Sequence, residues 1–139
     1  MQTLYTASAT ATGDGRNGHV RSTDGVLDFD LAVPKEMGGP GGAVPNPEEL
    51  FAAGYAACFH SALKAAARQQ KITLTDTAVT VDIGIGRTDQ GSMGLTAAIE
   101  AEIPGVDETT AQHLLETAHQ LCPYSNATRG NIEVQINLA

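Results

Sequence analysis

The sequence predicts an α+β fold in which antiparallel hairpins surround one long buried helix. Three observations carry this expectation. The elements read in the order βββ–α–ββ–α–β, with successive strands close enough in the chain to pair as hairpins, which is not the alternation of a doubly wound sheet. The run 50–67 is apolar or small almost all the way round, and a helix of that kind is buried on most faces. The 139 residues, 42% of them hydrophobic, fit one domain with one core, spanning 1–139.

Residues 3–13 alternate Thr and Ser with Tyr5, Ala7, Ala9 and Ala11, a weak strand signal closed by the turn cluster Gly13-Asp14-Gly15. After the Asn17-Gly18 turn, 19–23 reads as a second strand. In 26–33, Leu27, Phe29, Leu31 and Val33 alternate with Asp28 and Asp30, the pattern of a half-buried strand. Met37-Gly38-Gly39-Pro40-Gly41-Gly42 then reads as a flexible crossing loop. Asn46 is a good helix N-cap and Pro47 suits the first helical position, while Glu48 and Glu49 lie at the positive end of the helix dipole. Glu49 falls at the third helical position, where its side chain can close a capping box onto Asn46. Strands follow at Val79–Ile85 and Leu95–Ile103, joined through Asp89-Gln90-Gly91. Residues 107–121 form an amphipathic helix, and Ile132, Val134, Ile136 and Leu138 mark a last strand.

Eight basic residues against sixteen acidic ones leave no basic face for phosphates, which argues against a nucleic-acid partner and against an anionic membrane surface. The N-terminus lacks the basic and continuous apolar regions of a signal peptide, and no stretch approaches a membrane span. The expected location is therefore cytoplasmic, where two cysteines are not expected to form a permanent structural bridge. A mostly apolar helix is also hard to cover within one small subunit, so an obligate homodimer is expected.

The polar chemistry available is narrow. Cys58-x-His60 and His119-x-x-Cys122 supply four zinc-type ligands, yet Cys58 and His60, two apart, point to nearly opposite sides of a helix, so no metal is expected. No Ser stands on a nucleophile elbow, and the Gly-rich loop carries no Gly-Lys-Ser/Thr. Thiol chemistry is left. Cys58 lies about ten residues into the buried helix, beyond reach of its dipole, and apolar burial raises a thiol pKa. On that description alone it is an inert core thiol, and to act as a nucleophile it needs a cation from elsewhere. Arg16, Arg21, Arg68, Arg87 and Arg129 are all candidates.

The segment Asn46-Pro47-Glu48-Glu49-Leu50-Phe51-Ala52-Ala53-Gly54-Tyr55-Ala56-Ala57-Cys58-Phe59 closely resembles the first-cysteine signature of the organic hydroperoxide resistance proteins, within the osmotically inducible protein C (OsmC) superfamily. Cys122-Pro123-Tyr124-Ser125-Asn126-Ala127-Thr128-Arg129-Gly130-Asn131 resembles that family's second signature, and Leu4-Tyr5-Thr6-Ala7 and Gly38–Gly42 also fit. The match runs nearly end to end. The resemblance implies an OsmC-like, intertwined homodimer with active sites at the subunit interface. By position it makes Cys58 the peroxidatic thiolate, Cys122 the resolving thiol, Arg16 the activating cation and Glu48 its carboxylate partner. The family often shows two glycines before this arginine, whereas Asp14 precedes Gly15 here, a departure that bears on the loop's conformation. An apolar wall of Leu50, Phe51, Tyr55 and Phe59 would favour an alkyl or fatty-acid hydroperoxide. The resemblance further implies a dithiol reductant such as a lipoylated protein, with no bound cofactor. Two other readings stay open: an OsmC-subfamily peroxidase of broader range, and a redox-sensing or hydrophobe-binding module without turnover.

Overall fold

The computed structural model describes residues 1–139. They pack as two compact units, Met1–Leu50 and Phe51–Ala139. The first holds a three-stranded antiparallel sheet of β1 (Ala9–Thr12), β2 (His19–Ser22) and β3 (Asp28–Asp30), in which Ala11 faces Val20 and Val20 faces Phe29. The strand expected from residue 3 begins only at Ala9, because its partner β2 ends opposite it at Ser22 and turns away. The third strand is likewise shorter than its alternation suggested. Leu31 and Ala32 leave the ladder, are buried, and donate their N–H groups to the Gly18 and Pro45 carbonyls.

The Gly-rich crossing is stitched rather than loose. Gly39 N–H bonds to the Pro34 carbonyl, and Gly41 N–H bonds to that of Val33. A Cβ on Gly39 would lie 2.2 Å from the Val33 oxygen, so the glycine here serves close backbone approach as much as freedom.

Helix α1 runs unbroken from Pro47 to Gln69. From Phe51 onward it belongs to the second unit, with β4 (Ala78–Arg87), β5 (Met93–Glu102), α2 (Glu108–Leu121), α3 (Pro123–Thr128) and β6 (Val134–Leu138). β4 and β5 form the expected hairpin, with Val81 opposite Ile99. β6 departs from expectation: it pairs with β5 in parallel, Ile136 beside Ile99. The reason is the path between them, since α2 and α3 form a crossover that brings the chain back to the same end of the sheet.

Tyr55, Phe59 and Leu63 of α1, Ile99 of β5 and Leu114 and Leu115 of α2 are almost entirely removed from water and form the centre of this unit's core. The buried positions of α1 lie on one face. Ala53, Ala57 and Ser61 on another face are exposed in the single chain, so the expected burial on most faces is met within one subunit on one face only.

Candidate active site

Cys122 occupies the junction of two helices. Its N–H donates to the Ala118 carbonyl and closes α2, while its own carbonyl accepts from Asn126 and opens α3. Pro123 sets this break, because the residue before a proline is pushed into extended geometry, and Cys122 has φ −69° and ψ 121°. The thiol is fully buried. Cys58, half-buried on α1, faces it with its sulfur 3.5 Å from that of Cys122; both are free thiols.

Burial pushes the Cys58 thiol above its ordinary pKa. The Tyr124 backbone N–H works in the opposite direction, and the neighbouring Cys122 thiol adds to the rise. No guanidinium or ammonium is among the groups that shift the Cys58 thiol.

Beside the thiols, Tyr124 leans over Gly54. A Cβ on Gly54 would stand 2.9 Å from the tyrosine hydroxyl, so glycine at this helical position makes room for the ring. Tyr124 lies edge-on to Phe51 at 6.1 Å and tilted to Tyr55 at 5.8 Å. Of the four residues expected to line an apolar wall, Leu50 is exposed and Phe51 half-buried, while Tyr55 and Phe59 present no surface. His60 bonds Thr77 Oγ1 through Nε2, and His119 bonds Ser125 Oγ through Nδ1. Burial, then the nearby Arg129 guanidinium, lowers the His119 pKa.

In the first unit, Arg16 lies on a 3₁₀ turn, Gly15–Asn17, between β1 and β2. That turn is anchored by Asn17 Oδ1, which accepts the Val33 N–H. Gly18 is required by close approach, since a Cβ there would meet the Thr12 carbonyl at 2.3 Å. Asp14, the departure from the family pattern, has φ −104°, a conformation open to any residue, so no glycine is needed there. Arg16 Nη1 donates to both Glu48 oxygens, at 2.8 and 2.9 Å. Both contacts are made by one nitrogen, which leaves Nη2 and Nε for other partners. Glu48 is mostly buried and Arg16 partly exposed; a pair of this kind orients a guanidinium more than it stabilises a fold.

The adjacent carboxylates divide the work. Glu49 N–H bonds Asn46 Oδ1, and Glu49 Oε1 accepts from the Asn46 side-chain amide. The cap is thus reciprocal, but through the asparagine side chain rather than its backbone N–H. With Glu49 committed to the cap, Glu48 is left to Arg16.

Sequence reasoning weighed His119 only as a metal ligand and gave Tyr124, Ser125 and Thr128 no role beyond their place in the second signature. One signal was available: a tyrosine hydroxyl on an otherwise apolar helix has to find a buried partner. Tyr55 Oη finds Ser125 Oγ at 2.8 Å and Thr128 Oγ1 at 3.2 Å.

Two sheets of three strands, three helices and a buried-to-surface thiol pair define the class. A model of the OsmC-like protein family matches residues 39–137. The organic hydroperoxide resistance protein of Xanthomonas axonopodis pv. citri is 51% identical over 137 residues, covering 98% of this chain and 95% of that protein. OhrB of Bacillus subtilis is 43% identical, covering 97% and 98%. The crystal structure of an organic hydroperoxide resistance protein from Elizabethkingia anophelis superposes with a TM-score of 0.94 at 55% identity, over 100% of this chain and 99% of that one. The chain belongs to the organic hydroperoxide resistance proteins of the OsmC-like family.

Proposed function

We propose that this protein is a two-thiol peroxidase for organic hydroperoxides. The observation that carries the reading is the pair of free sulfurs at 3.5 Å, one half-buried and one fully buried. The thiol with access to solvent, Cys58, attacks. Its thiolate attacks the distal oxygen of ROOH and the O–O bond breaks, giving Cys58 sulfenic acid and an alkoxide that takes a proton to become the alcohol. The buried Cys122 thiol, out of reach of peroxide, then condenses with the sulfenic acid to a Cys58–Cys122 disulfide and water, which protects Cys58 from over-oxidation. A dithiol, such as a lipoylated protein, returns both thiols and leaves as its own disulfide. The cycle needs a reducing compartment, so a cytoplasmic location is part of this reading; no helix is long and apolar enough to cross a membrane.

Arg16, oriented by Glu48, is assigned the cation. It offsets the desolvation of Cys58, and its free nitrogens can polarise the peroxide bond and stabilise the departing alkoxide. We infer that this pair serves Cys58 of a second subunit in an intertwined homodimer. Two facts support that. α1 does not break at Gly54, and the ten helical residues from Glu48 to Cys58 amount to about 15 Å of rise. The exposed Ala53, Ala57 and Ser61 face is also one that another chain can cover. Residues 1–139 then act as one OsmC-like domain. Leu50 and Phe51, backed by Tyr55 and Phe59, are assigned the apolar contacts to the substrate.

The test is stoichiometric. Cys58→Ser should abolish turnover, whereas Cys122→Ser should consume about one equivalent of cumene hydroperoxide and stall as sulfenic acid, or about two where excess peroxide carries it on to sulfinic acid. If Cys122→Ser loses that first equivalent as completely as Cys58→Ser, the roles are wrongly assigned.

A further inference from the structure

The two thiols are not held together by their own contact alone. Ser125 is fully buried, and its hydroxyl lies between Tyr55 Oη and His119 Nδ1, 2.8 Å from each. The spacing is regular. Tyr55 precedes Cys58 by three residues, His119 precedes Cys122 by three, and Ser125 follows Cys122 by three. On α1 a separation of three places Tyr55 and Cys58 on one face, while His119 and Ser125 lie at equal chain distance on either side of the helix break at Cys122. A second bridge between α1 and the α2–α3 junction therefore lies one turn away from the sulfur pair. Arg129 reinforces it, donating from Nη2 to the His119 carbonyl at 2.6 Å and from Nη1 to Asn126 Oδ1 at 2.7 Å.

The network has no unsatisfied member. Thr128 Oγ1 donates to the Ser125 carbonyl, so it is free to accept the tyrosine proton when Ser125 donates toward Tyr55. With neutral His119 the hydroxyls can instead run from Tyr55 through Ser125 to Nδ1. A network satisfied in either direction rigidifies the segment that carries it.

Rigidity matters at one step. Bond formation requires the sulfurs to close from 3.5 Å to about 2.05 Å, and Cys122 belongs to a residue whose backbone is shared by two helix ends. We propose that Tyr55, Ser125 and His119 are positioning residues that hold Cys122 against Cys58, so that the sulfenic acid is resolved before a second peroxide reaches it. This rests on the two-thiol reading above. The competing reactions are Cys58–SOH with Cys122–SH, giving the disulfide and water, and Cys58–SOH with ROOH, giving the sulfinic acid and ROH.

The experiment measures how the sulfenic acid partitions. Full-length protein is titrated with cumene hydroperoxide, and disulfide and Cys58 sulfinic acid are quantified by intact-mass spectrometry. The first-equivalent rate and the thermal midpoint are recorded in parallel. Ser125→Ala and His119→Leu should leave the first-equivalent rate within about twofold of wild type yet raise the sulfinic share per equivalent by about fivefold, the factor one net hydrogen bond is worth. Tyr55→Phe, which keeps the ring but loses both hydroxyl contacts, should raise that share at least as much. His119→Asn, whose amide can occupy the Nδ1 position, should restore the wild-type partition. A lowered thermal midpoint with an unchanged partition in all three damaging variants would overturn the proposal, as would a His119→Asn protein that behaves like His119→Leu. Absence of a disulfide in the wild type would instead overturn the two-thiol reading itself.

Discussion

Replacing Gly54 tests whether the aromatic cluster beside the thiols is built as described. Glycine to alanine in a helix interior ordinarily stabilises by about 1 kcal/mol. Here the new Cβ would lie 2.9 Å from the Tyr124 hydroxyl oxygen and 3.3 Å from Cε2. Relief has to come from the ring, since Tyr124 is 41% exposed while α1 is fixed by its buried face. An outward swing forfeits the pairs with Phe51 and Tyr55 at 6.1 and 5.8 Å, each contributing about 0.5–1.5 kcal/mol. Loss of both, about 1–3 kcal/mol, offsets or exceeds the helical gain. Gly54→Ala alone is therefore expected to be neutral to destabilising by about 2 kcal/mol. In a Tyr124→Ala background the obstacle is gone, and the same change should stabilise by about 1 kcal/mol. Urea unfolding of the four proteins, at one protein concentration because association shifts apparent stability, gives the coupling as a double-mutant cycle. Near-UV circular dichroism reports the tyrosine environment. If Gly54→Ala stabilises the wild type by the full helical increment with an unchanged near-UV spectrum, the ring does not occupy the space over Gly54.

Three further outcomes are expected. Catalytic efficiency for cumene or long-chain hydroperoxides should exceed that for hydrogen peroxide by well over tenfold, since each buried CH₂ contributes about 0.8 kcal/mol; equal efficiencies would shift the assignment toward the broader OsmC subfamily. Co-expressed Glu48→Ala and Cys58→Ser subunits should recover activity that neither has alone, through heterodimers with one site wild type at both positions, whereas verified but inactive heterodimers would place Glu48 and Cys58 of the same subunit in one site. His19, hydrogen-bonded to Asp30 and Asp28 at 2.8 and 2.6 Å, has its pKa raised by those bonds. A raised folded pKa gives stabilisation that is complete below about 6.5, the unfolded value, and is lost as pH rises through the folded one. The imidazole should therefore titrate by NMR above 6.5, and Asp30→Asn should bring the midpoint down.

The parts of the molecule governed by local rules were legible in the sequence. Asn46, Pro47 and the two glutamates announce the start of α1, and the alternation of Val79–Ile85 and Leu95–Ile103 announces the hairpin. The parallel pairing of β6 was not legible, because strand direction depends on the route of the intervening helices and not on residues 134–138. α3 escaped because six residues are too few to display a helical period. In the candidate site, the chemistry of Cys58 and Cys122 is visible in their type, but their meeting spans 64 positions, which no local pattern encodes. Glu48 and Glu49 are equivalent on paper. Only the fold shows which one closes the cap and which pairs with Arg16.

The parallel pairing of β6 also bears on how the chain is made. β5 is the middle strand of its sheet, yet β6 is the last of the six strands to leave the ribosome. Until Val134–Leu138 emerge, Ala97, Ile99 and Ala101 belong to a strand with one unpaired edge, the kind that recruits other chains. α2 and α3 are complete by then and can cover the sheet's face, but a helix does not pair with the open backbone groups of that edge. The interval of greatest aggregation hazard thus falls between the completion of β5 and the arrival of β6. A chain stopped between residues 131 and 133 would carry both cysteines and both signature segments and still lack the strand that closes β5.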